Sequence, residues 1–501
     1  MRNVFFLFII LCFQQHLQAQ MVSDGLLFSE TQPTITARSL ALGNSLGAMG
    51  GDMAAASLNP AGIAVYRRME IALSLGGLFN GTSTDFVGYG ARDRISQFSF
   101  GHAGMVFAAK LRKKSTKWKT INVGITFNRL ANYARNFTFQ GISNGSRLQA
   151  FAANAYGSTV ANLDPFEGWV AYNAYLIDST GPASYIANGG VSDTTYTTKS
   201  QTVHRRGGVN ELGFTLGANY NHKLYIAGTI GINFMSMTED KSYQELADSM
   251  DLQAFDFNEN RTIKGTGINF KIGIIYRISK IFRMGFAIHT PTAYRLVDSY
   301  NSGLYGRIVY DSLLRESNYP MVDQEPEVLQ HDLATPWVFS GSFGAVIAKR
   351  GFINVDVEFT DYSWANFSLL DNERTPSNNQ FINQFNRDVQ GQYKGTLKAR
   401  IGGEVAVGIA RIRLGYQFQT SPYVHEVSGV TDFRHDISAG FGFRWKHFFL
   451  DFAYRHTLMD FAYTPYRHAS LVQNVTGLSQ TGHAMITVGA SIFRDPNRVS
   501  N

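Results

Sequence analysis

The chain has 501 residues, 44% of them hydrophobic and 13% aromatic, with 48 Gly, one Cys and a formal net charge of +7. A single cysteine excludes a disulfide scaffold and a cysteine-ligated metal site, and a modest charge with no basic helix or aromatic-basic motif excludes a nucleic-acid interface. No segment past the amino terminus approaches the roughly 18 consecutive apolar residues of a membrane-spanning helix, so a membrane location requires strands.

Arg2, an apolar run from Val4 to Phe13 and the closing Leu17-Gln18-Ala19 form the charged, hydrophobic and small-residue zones of a secretory signal over residues 1–19, with cleavage after Ala19. Cys12 leaves with it, and the mature chain then has no cysteine. Residues 21–69 lack strand alternation and are rich in small side chains, including Ala54-Ala55-Ala56 and Asn59-Pro60-Ala61-Gly62. Such a segment suits a plug inside a wide barrel.

From residue 70 onward hydrophobicity alternates with period two, which puts one set of side chains on each face of a strand. Ile121, Val123, Ile125 and Phe127 alternate with polar residues and glycine, as do Ile353, Val355, Val357 and Phe359. The strands predicted this way lie near 70–79, 94–108, 118–128, 208–220, 224–237, 263–277, 282–294, 333–347, 352–362, 394–408, 411–420, 434–445, 448–458 and 482–493. About fourteen strands, most with the nine to eleven residues that cross a bilayer, predict an all-β transmembrane antiparallel barrel over residues 70–494.

Turns such as Asn221–Lys223, Ser279–Ile281 and Lys446–His447 alternate with long connections near 129–207, 238–262, 295–332, 363–393 and 459–481, of which 129–207 is the longest and partly helical. Short turns belong at the periplasmic end and long loops outside. Asp356, Glu358, Lys398, Arg400, Glu404, Arg413, Arg444, Asp451 and Arg455 fall on the face opposite the apolar residues and should face a lumen, where mixed signs suggest pairing. Tyr66, Phe79, Trp118, Trp337, Trp445 and Tyr454 are candidates for interfacial girdles.

The stretch Ala37 to Tyr66, with Gly50-Gly51-Asp52 and Ser57-Leu58-Asn59-Pro60-Ala61-Gly62, resembles the N-terminal hatch of the FadL/TodX family of outer-membrane transporters. Ile288-His289-Thr290-Pro291-Thr292, Thr335-Pro336-Trp337, Asp356 to Tyr362, Arg413-Leu414-Gly415-Tyr416, Ser421-Pro422-Tyr423 and Phe449 to Tyr454 extend the likeness, which is to the Bacteroidetes branch, over essentially the whole mature chain. The resemblance implies a fourteen-stranded barrel in the outer membrane, a hatch over residues 20–69 whose Asn59, Pro60 and Ala61 help control passage, and a hydrophobic ligand such as a long-chain fatty acid or aromatic hydrocarbon. It also implies capture by outer loops and departure sideways through a gap in the wall. Some relatives in that branch are labelled haemin receptors. Eight residues follow Phe493, whereas many barrels end on a terminal aromatic for the barrel-assembly machinery that inserts them into the bilayer.

Capture of a greasy ligand needs exposed apolar surface. In the longest loop Leu148, Phe151, Ala152 and Ala155 share one helical face and Phe166, Trp169, Tyr172, Tyr175 and Leu176 follow, so Phe151, Trp169 and Tyr172 are candidate ligand contacts; packing of two helices over the barrel mouth is the alternative. For a carboxylate headgroup the candidates are Arg400 and Arg413, with structural pairing to Asp356 or Glu358 as the alternative. Gly43-Asn44-Ser45-Leu46-Gly47 fits a hydrolase nucleophile pattern but follows no strand, and the twelve histidines show no metal-binding spacing, so neither enzyme chemistry, a metal nor a cofactor is expected. A general porin for polar solutes, a receptor for haem or another hydrophobic ligand, and a lipid hydrolase remain the competing functions.

Overall fold

The computed structural model describes residues 23–111, 116–247, 251–321, 325–348, 350–370, 374, 376–425, 430, 433–468 and 473–492; the expected signal segment lies outside these. Nineteen strand segments join one antiparallel sheet. They trace fourteen passes of the wall: β1 Met69–Phe86, β2 Tyr89–Lys110, β3 Trp118–Asn132 continuing as Arg135–Asn144, β4 Tyr196–Tyr220, β5 Leu224–Leu246, β6 Leu252–Arg277, and β7 Phe282–His289 continuing as Ala293–Tyr310. The second half adds β8 Glu327–Ala334 continuing as Val338–Ile347, β9 Gly351–Asp361, β10 Gly395–Val407, β11 Ala410–Thr420, β12 Phe433–Arg444, β13 Phe448–Tyr463 and β14 Val475–Ile492. The remaining two segments, Leu313–Tyr319 and Asn366–Leu369, are short additions at the outer rim. β14 pairs with β1 from Met69↔Ile492 to Asp85↔Thr476, which closes the sheet into a barrel.

The barrel is apolar outside and polar inside. Ile121, Val123 and Ile125 are 40, 43 and 37% exposed while Asn122 between them is fully buried, and Ile353 and Val355 are exposed beside buried Asn354 and Asp356. Only lipid makes that arrangement favourable. Trp118, Trp337, Trp445 and Tyr454 are exposed on this surface, Trp118 against Tyr220 and Trp337 against Phe339. Tyr66 departs from the girdle expectation: it ends a 3-10 helix inside the lumen and is 7% exposed.

All fourteen alternating segments are wall strands, but several run well past their expected ends. β6 begins at Leu252, β5 reaches Leu246, β7 reaches Tyr310 and β14 begins at Val475, so most of the expected loops 238–262 and 295–332 is strand. Above the lipid both faces meet water or other protein, and alternation loses its cause. On the outer face of this extension Arg206 pairs with Asp240 and Arg295 with Asp332.

Residues 23–68 lie inside the barrel, with a helix over 23–29 (α1) toward the outer side and Ala37–Ala41 (α2), Ala55–Leu58 (α3) and the 3-10 helix Pro60–Val65 filling the lower lumen. The wall holds this plug from almost every side. Arg283 donates to the Met49 carbonyl, Asn122 to those of Ile63 and Tyr66, Ser438 to that of Ala41, Ser45 to that of Asn354, and the Ala37 amide donates to Thr487. Arg38 reaches Glu404 at 2.9 Å, and Glu404 also pairs with Arg413, which pairs with Asp451.

Room for the plug comes from glycines on the lumen face. A Cβ on Gly402 would lie 2.4 Å from the Leu42 carbonyl oxygen, on Gly285 2.4 Å from that of Gly47, on Gly440 2.5 Å from the Ala41 methyl, and on Gly415 2.2 Å from the Leu42 carbonyl carbon. Strand glycines mark close backbone approach. Gly415→Val should unseat the plug, because the obstructing atoms are backbone, whereas Gly81→Ala, with nothing within 4 Å, should not. The expected result is steady ion conductance of the first variant in planar bilayers and a lower midpoint for its heat-induced gel-mobility shift. A silent Gly415→Val barrel as heat-resistant as the parent would contradict the role given to these glycines.

Candidate functional site

The Asn59-Pro60-Ala61 turn is fixed by its own chemistry. Asn59 Oδ1 accepts from the Ala61 amide at 3.1 Å and so caps the 3-10 helix, Pro60 occupies the first helical position, and Asn59 Nδ2 donates to the Gly47 carbonyl at 2.7 Å. Gly273 of β6 makes the fit possible, since a Cβ there would lie 2.0 Å from Asn59 Oδ1. Ala61 is fully buried against Tyr225 and Ile275, and His289 donates to the Leu58 carbonyl at 3.0 Å. This turn therefore sits between the plug and the wall on the β5–β7 side.

Above the plug the interior of the barrel is an apolar compartment packed with protein. Its walls are Leu130 and Tyr133 of β3, Val209 of β4, Met235 of β5, Tyr294 of β7 and Leu333 of β8, and Phe367 and Phe385 close it from the outer connection after β9. Helix α1 occupies it: Phe28 lies 6.0 Å from Tyr133, and Leu26 and Leu27 pack against the same cluster. An ion pair ties α1 to this apolar site, between Asp24 and Arg261, which also pairs with Asp298. Burial pushes the Asp24 carboxyl up to about 6, against the pull of Arg261 and with a smaller push from Asp298.

Beside this chamber the wall is interrupted. β2 and β3 pair only from Lys110↔Thr120 to His102↔Asn128, although both strands continue outward. β2 goes on pairing β1 up to Tyr89, and β3 goes on pairing β4 up to Asn144. Higher up, Thr138 rejoins Asp93 at 3.3 Å. Between those points β2 and β3 carry no mutual ladder, at the height where Phe98 stands 66% exposed to lipid.

The two arginines expected for a headgroup are both committed. Arg400 bonds Glu358 at 2.8 Å and Gln417 at 3.0 Å, and Arg413 bonds Glu404 at 2.6 Å and Asp451 at 2.7 Å. Arg455 differs: it is 1% exposed, its only hydrogen bond is from Nη1 to the Pro33 carbonyl at 3.4 Å, and its Nε and Nη2 have no partner among the described residues. Its position on the lumen face was legible in the alternation, but its lack of a partner was not.

In the outer layer Phe151 lies on the helix Arg147–Ala155 (α4), 1% exposed and 5.2 Å from Phe257. Tyr172, on the helix Gly168–Asn173 (α5), meets Tyr185 edge-on; Trp169 on the same helix is 42% exposed and meets Tyr319. Of the three, Trp169 alone offers a large accessible face. Ser45 donates to the Asn354 carbonyl at 3.0 Å and accepts from Asn354 Nδ2 at 3.1 Å, so its hydroxyl serves the plug seat.

No protein-family model and no curated protein matches the chain. Solved structures do. A Pseudomonas aeruginosa FadL homologue superposes with a TM-score of 0.55 at 11% identity, over 92% of this chain and 99% of its own. The P. putida toluene transporter TodX superposes at 0.51 and 12% identity over 92% and 99%, and a TodX variant described as a monoaromatic hydrocarbon channel at 0.52 and 10% over the same shares. From its closed fourteen-pass wall to its lumen-filling amino terminus, the chain is a transmembrane barrel with the fold of the FadL/TodX outer-membrane channels.

Proposed function

We propose that this barrel passes small hydrophobic molecules across the outer membrane, taking them from outside into the apolar chamber and releasing them sideways into the bilayer. The observation that carries the reading is the coincidence of a closed lower lumen, an apolar compartment above it that α1 fills, and an unpaired stretch of wall beside that compartment. A polar solute gains nothing from such a path, whereas a ligand entering the chamber gains about 25 cal/mol for each Å² of apolar surface removed from water. The structural neighbours named for toluene and monoaromatic hydrocarbons support the same class. Asn59, Pro60 and Ala61 hold the plug that closes the straight path, and Trp169 is the first aromatic contact from outside. The barrel works without chemistry on its ligand.

Among hydrophobic ligands, a long-chain fatty acid fits best. Arg455 supplies a buried guanidinium that feels Asp436 without a direct ion pair and keeps Nε and Nη2 without hydrogen-bond partners among the described residues, and a carboxylate would answer them.

Proteoliposomes carrying the protein should take up a fluorescent fatty acid while remaining nearly silent to ions, and a variant lacking residues 21–65 should conduct. Large conductance in the parent without lipid uptake would make it a porin and overturn the reading. Arg455→Leu should slow uptake of the acid about tenfold, the worth of one charge-assisted hydrogen bond, and leave the matching fatty alcohol unchanged. Equal losses for both ligands would remove Arg455 from headgroup recognition.

Asp24 sets a pH dependence. Its carboxyl titrates near 6 when α1 is seated and near the ordinary carboxylate value of about 4 when α1 is out in water. The seated state therefore binds the extra proton between those values, and seating weakens as pH rises from about 4 to about 6 and is then level. Proteolysis of the N-terminal segment should accordingly be faster at pH 7.5 than at pH 4.5, and Asp24→Asn should flatten the difference. A parent that is cut equally at both values would refute it.

A further inference from the structure

We infer that the periplasmic end of the wall, on the β3–β7 side, is a binding site for the phosphate of an anionic inner-leaflet phospholipid of the phosphatidylglycerol class. The inference goes beyond transport and does not rest on it, since the site lies at the opposite end of the barrel from the outer layer.

Neighbouring turns are laced into one surface there. The Asn221 amide of the β4–β5 turn donates to the Lys117 carbonyl at the foot of β3 at 2.8 Å, and the Arg277 amide at the end of β6 donates to the Lys223 carbonyl at 2.7 Å. Lys117, Lys223 and Lys280 of the β6–β7 turn are all exposed, and none of them forms an ion pair among the described residues.

The other charges of this surface have the same sign. His222 feels Arg67, Lys119 and Arg277, and Arg283 feels Arg277 and Arg67. Slight burial and, after it, those three cations hold the His222 imidazole, in the turn outside the spanning strands, below its ordinary value. The bonds these side chains make go to carbonyls: Lys119 to that of Thr116, Arg277 to that of Ser279 and Arg283 to that of Met49. Arg277 and Arg283 also stand directly opposite each other on β6 and β7, where like charges destabilise a strand pair. The crowding is local, because the Gly408-Ile409 turn between β10 and β11 at the same end carries no charge.

The β4–β5 turn adds backbone strain. Asn221 and His222 have φ of 51° and 54°, and the Lys223 amide closes on the Tyr220 carbonyl at 3.0 Å, which makes a two-residue type I′ turn. Its second position favours glycine. Here an imidazole stands there, among the cations. Strain and like charge gathered on one surface are both repaid by an anion, and a phosphate takes guanidinium and ammonium groups together.

The apolar border makes that anion a lipid. Trp118, its ring 5.1 Å from Tyr220, is 39% exposed on the membrane face, Tyr276 and Phe282 are exposed near it, and Ile278 and Ile281 flank Ser279-Lys280. A soluble anion would use the cations alone, whereas a phospholipid also lays acyl chain over these side chains. A zwitterionic headgroup brings its own cation into the patch and is disfavoured. Arg67 follows the plug's 3-10 helix Pro60–Val65, so a headgroup bound here also braces the plug where it leaves the lumen.

The chain's five tryptophans provide the test. A variant keeping Trp118 alone, through Trp169→Phe, Trp337→Phe, Trp364→Phe and Trp445→Phe, is reconstituted in phosphatidylcholine vesicles. Phosphatidylglycerol brominated on its acyl chains should quench Trp118 half-maximally at a mole fraction about threefold or more below that of brominated phosphatidylcholine. The preference should vanish with Lys117→Gln/Lys223→Gln/Lys280→Gln and shrink in about 0.5 M salt, while Arg350→Gln, in the turn after β8, should leave it intact. Equal quenching by the two lipids overturns the inference, as does a preference that survives the triple substitution. Excess glycerol phosphate should not displace the lipid; if it does, the site takes a soluble anion and the lipid assignment fails. Should the Trp118-only variant not fold, the difference in quenching between the parent and Trp118→Phe gives the same reading.

Discussion

The governing constraint is the width of the hole. A sheet that crosses lipid must close on itself to satisfy its backbone, and a closed sheet of fourteen strands encloses more space than its own side chains can fill. The chain meets this by turning its amino terminus inward. Having done so, it removes side chains from the wall where they would collide: the lumen-facing glycines at 285, 402 and 415 are the imprint of plug backbone lying against them, and Gly440 that of the Ala41 methyl. Plug and wall are consequently one folded object, with hydrogen bonds running between residues more than 400 positions apart, as from Ala37 to Thr487.

The same constraint organises the charges. A lumen filled with protein has a low dielectric, and each ion placed in it needs a partner. Glu404 receives Arg38 from the plug and Arg413 from the wall, Asp451 receives Arg413 and Arg444, and Glu358 receives Arg400 and Lys398. Arg400 and Arg413 are thereby tied into the scaffold. Against that background Arg455 differs in having two nitrogens, Nε and Nη2, without a hydrogen-bond partner among the described residues and no direct ion pair, a property set by its neighbours on other strands and not by its own sequence context.

The wall was legible because period-two patterning is imposed by lipid: wherever a strand meets the bilayer, Ile, Val and Phe must face out, and all fourteen such stretches are strands. The outer halves of β5, β6 and β7 were read as loops because no lipid imposes the pattern there; Asn258, Asn260 and Thr262 face outward as readily as any apolar residue would. The plug was suggested by its small residues and by its likeness to a known hatch. Its fit to the wall was not, although Gly402, Gly415 and Gly440 at lumen-facing positions carried the signal in retrospect. The interruption between β2 and β3 left no mark in hydrophobicity, because a strand keeps the same residue pattern whether or not its neighbour is bonded to it. Phe151 and Tyr172 show a related ambiguity, since an apolar helical face reads alike whether a ligand or a neighbouring helix covers it.

On the proposed function, these features bear on which way a ligand would leave. Straight through, it would have to free a plug tied to the wall by Arg283, Asn122, Ser438, Asn59 and the Arg38–Glu404 pair, and every one of those breaks strands a buried polar group or charge. Sideways, it meets the segment around Pro33, held to β3 by two backbone bonds and at the Pro33 carbonyl by Asn44 and Arg455, with lipid beyond. A hydrophobic molecule also keeps in lipid the transfer free energy it gained on leaving water, whereas the periplasm beneath the plug would demand it back. Under the proposed function the lateral route thus follows from where the ligand prefers to be and from the many bonds that seat the plug below, beside a stretch where β2 and β3 share no ladder.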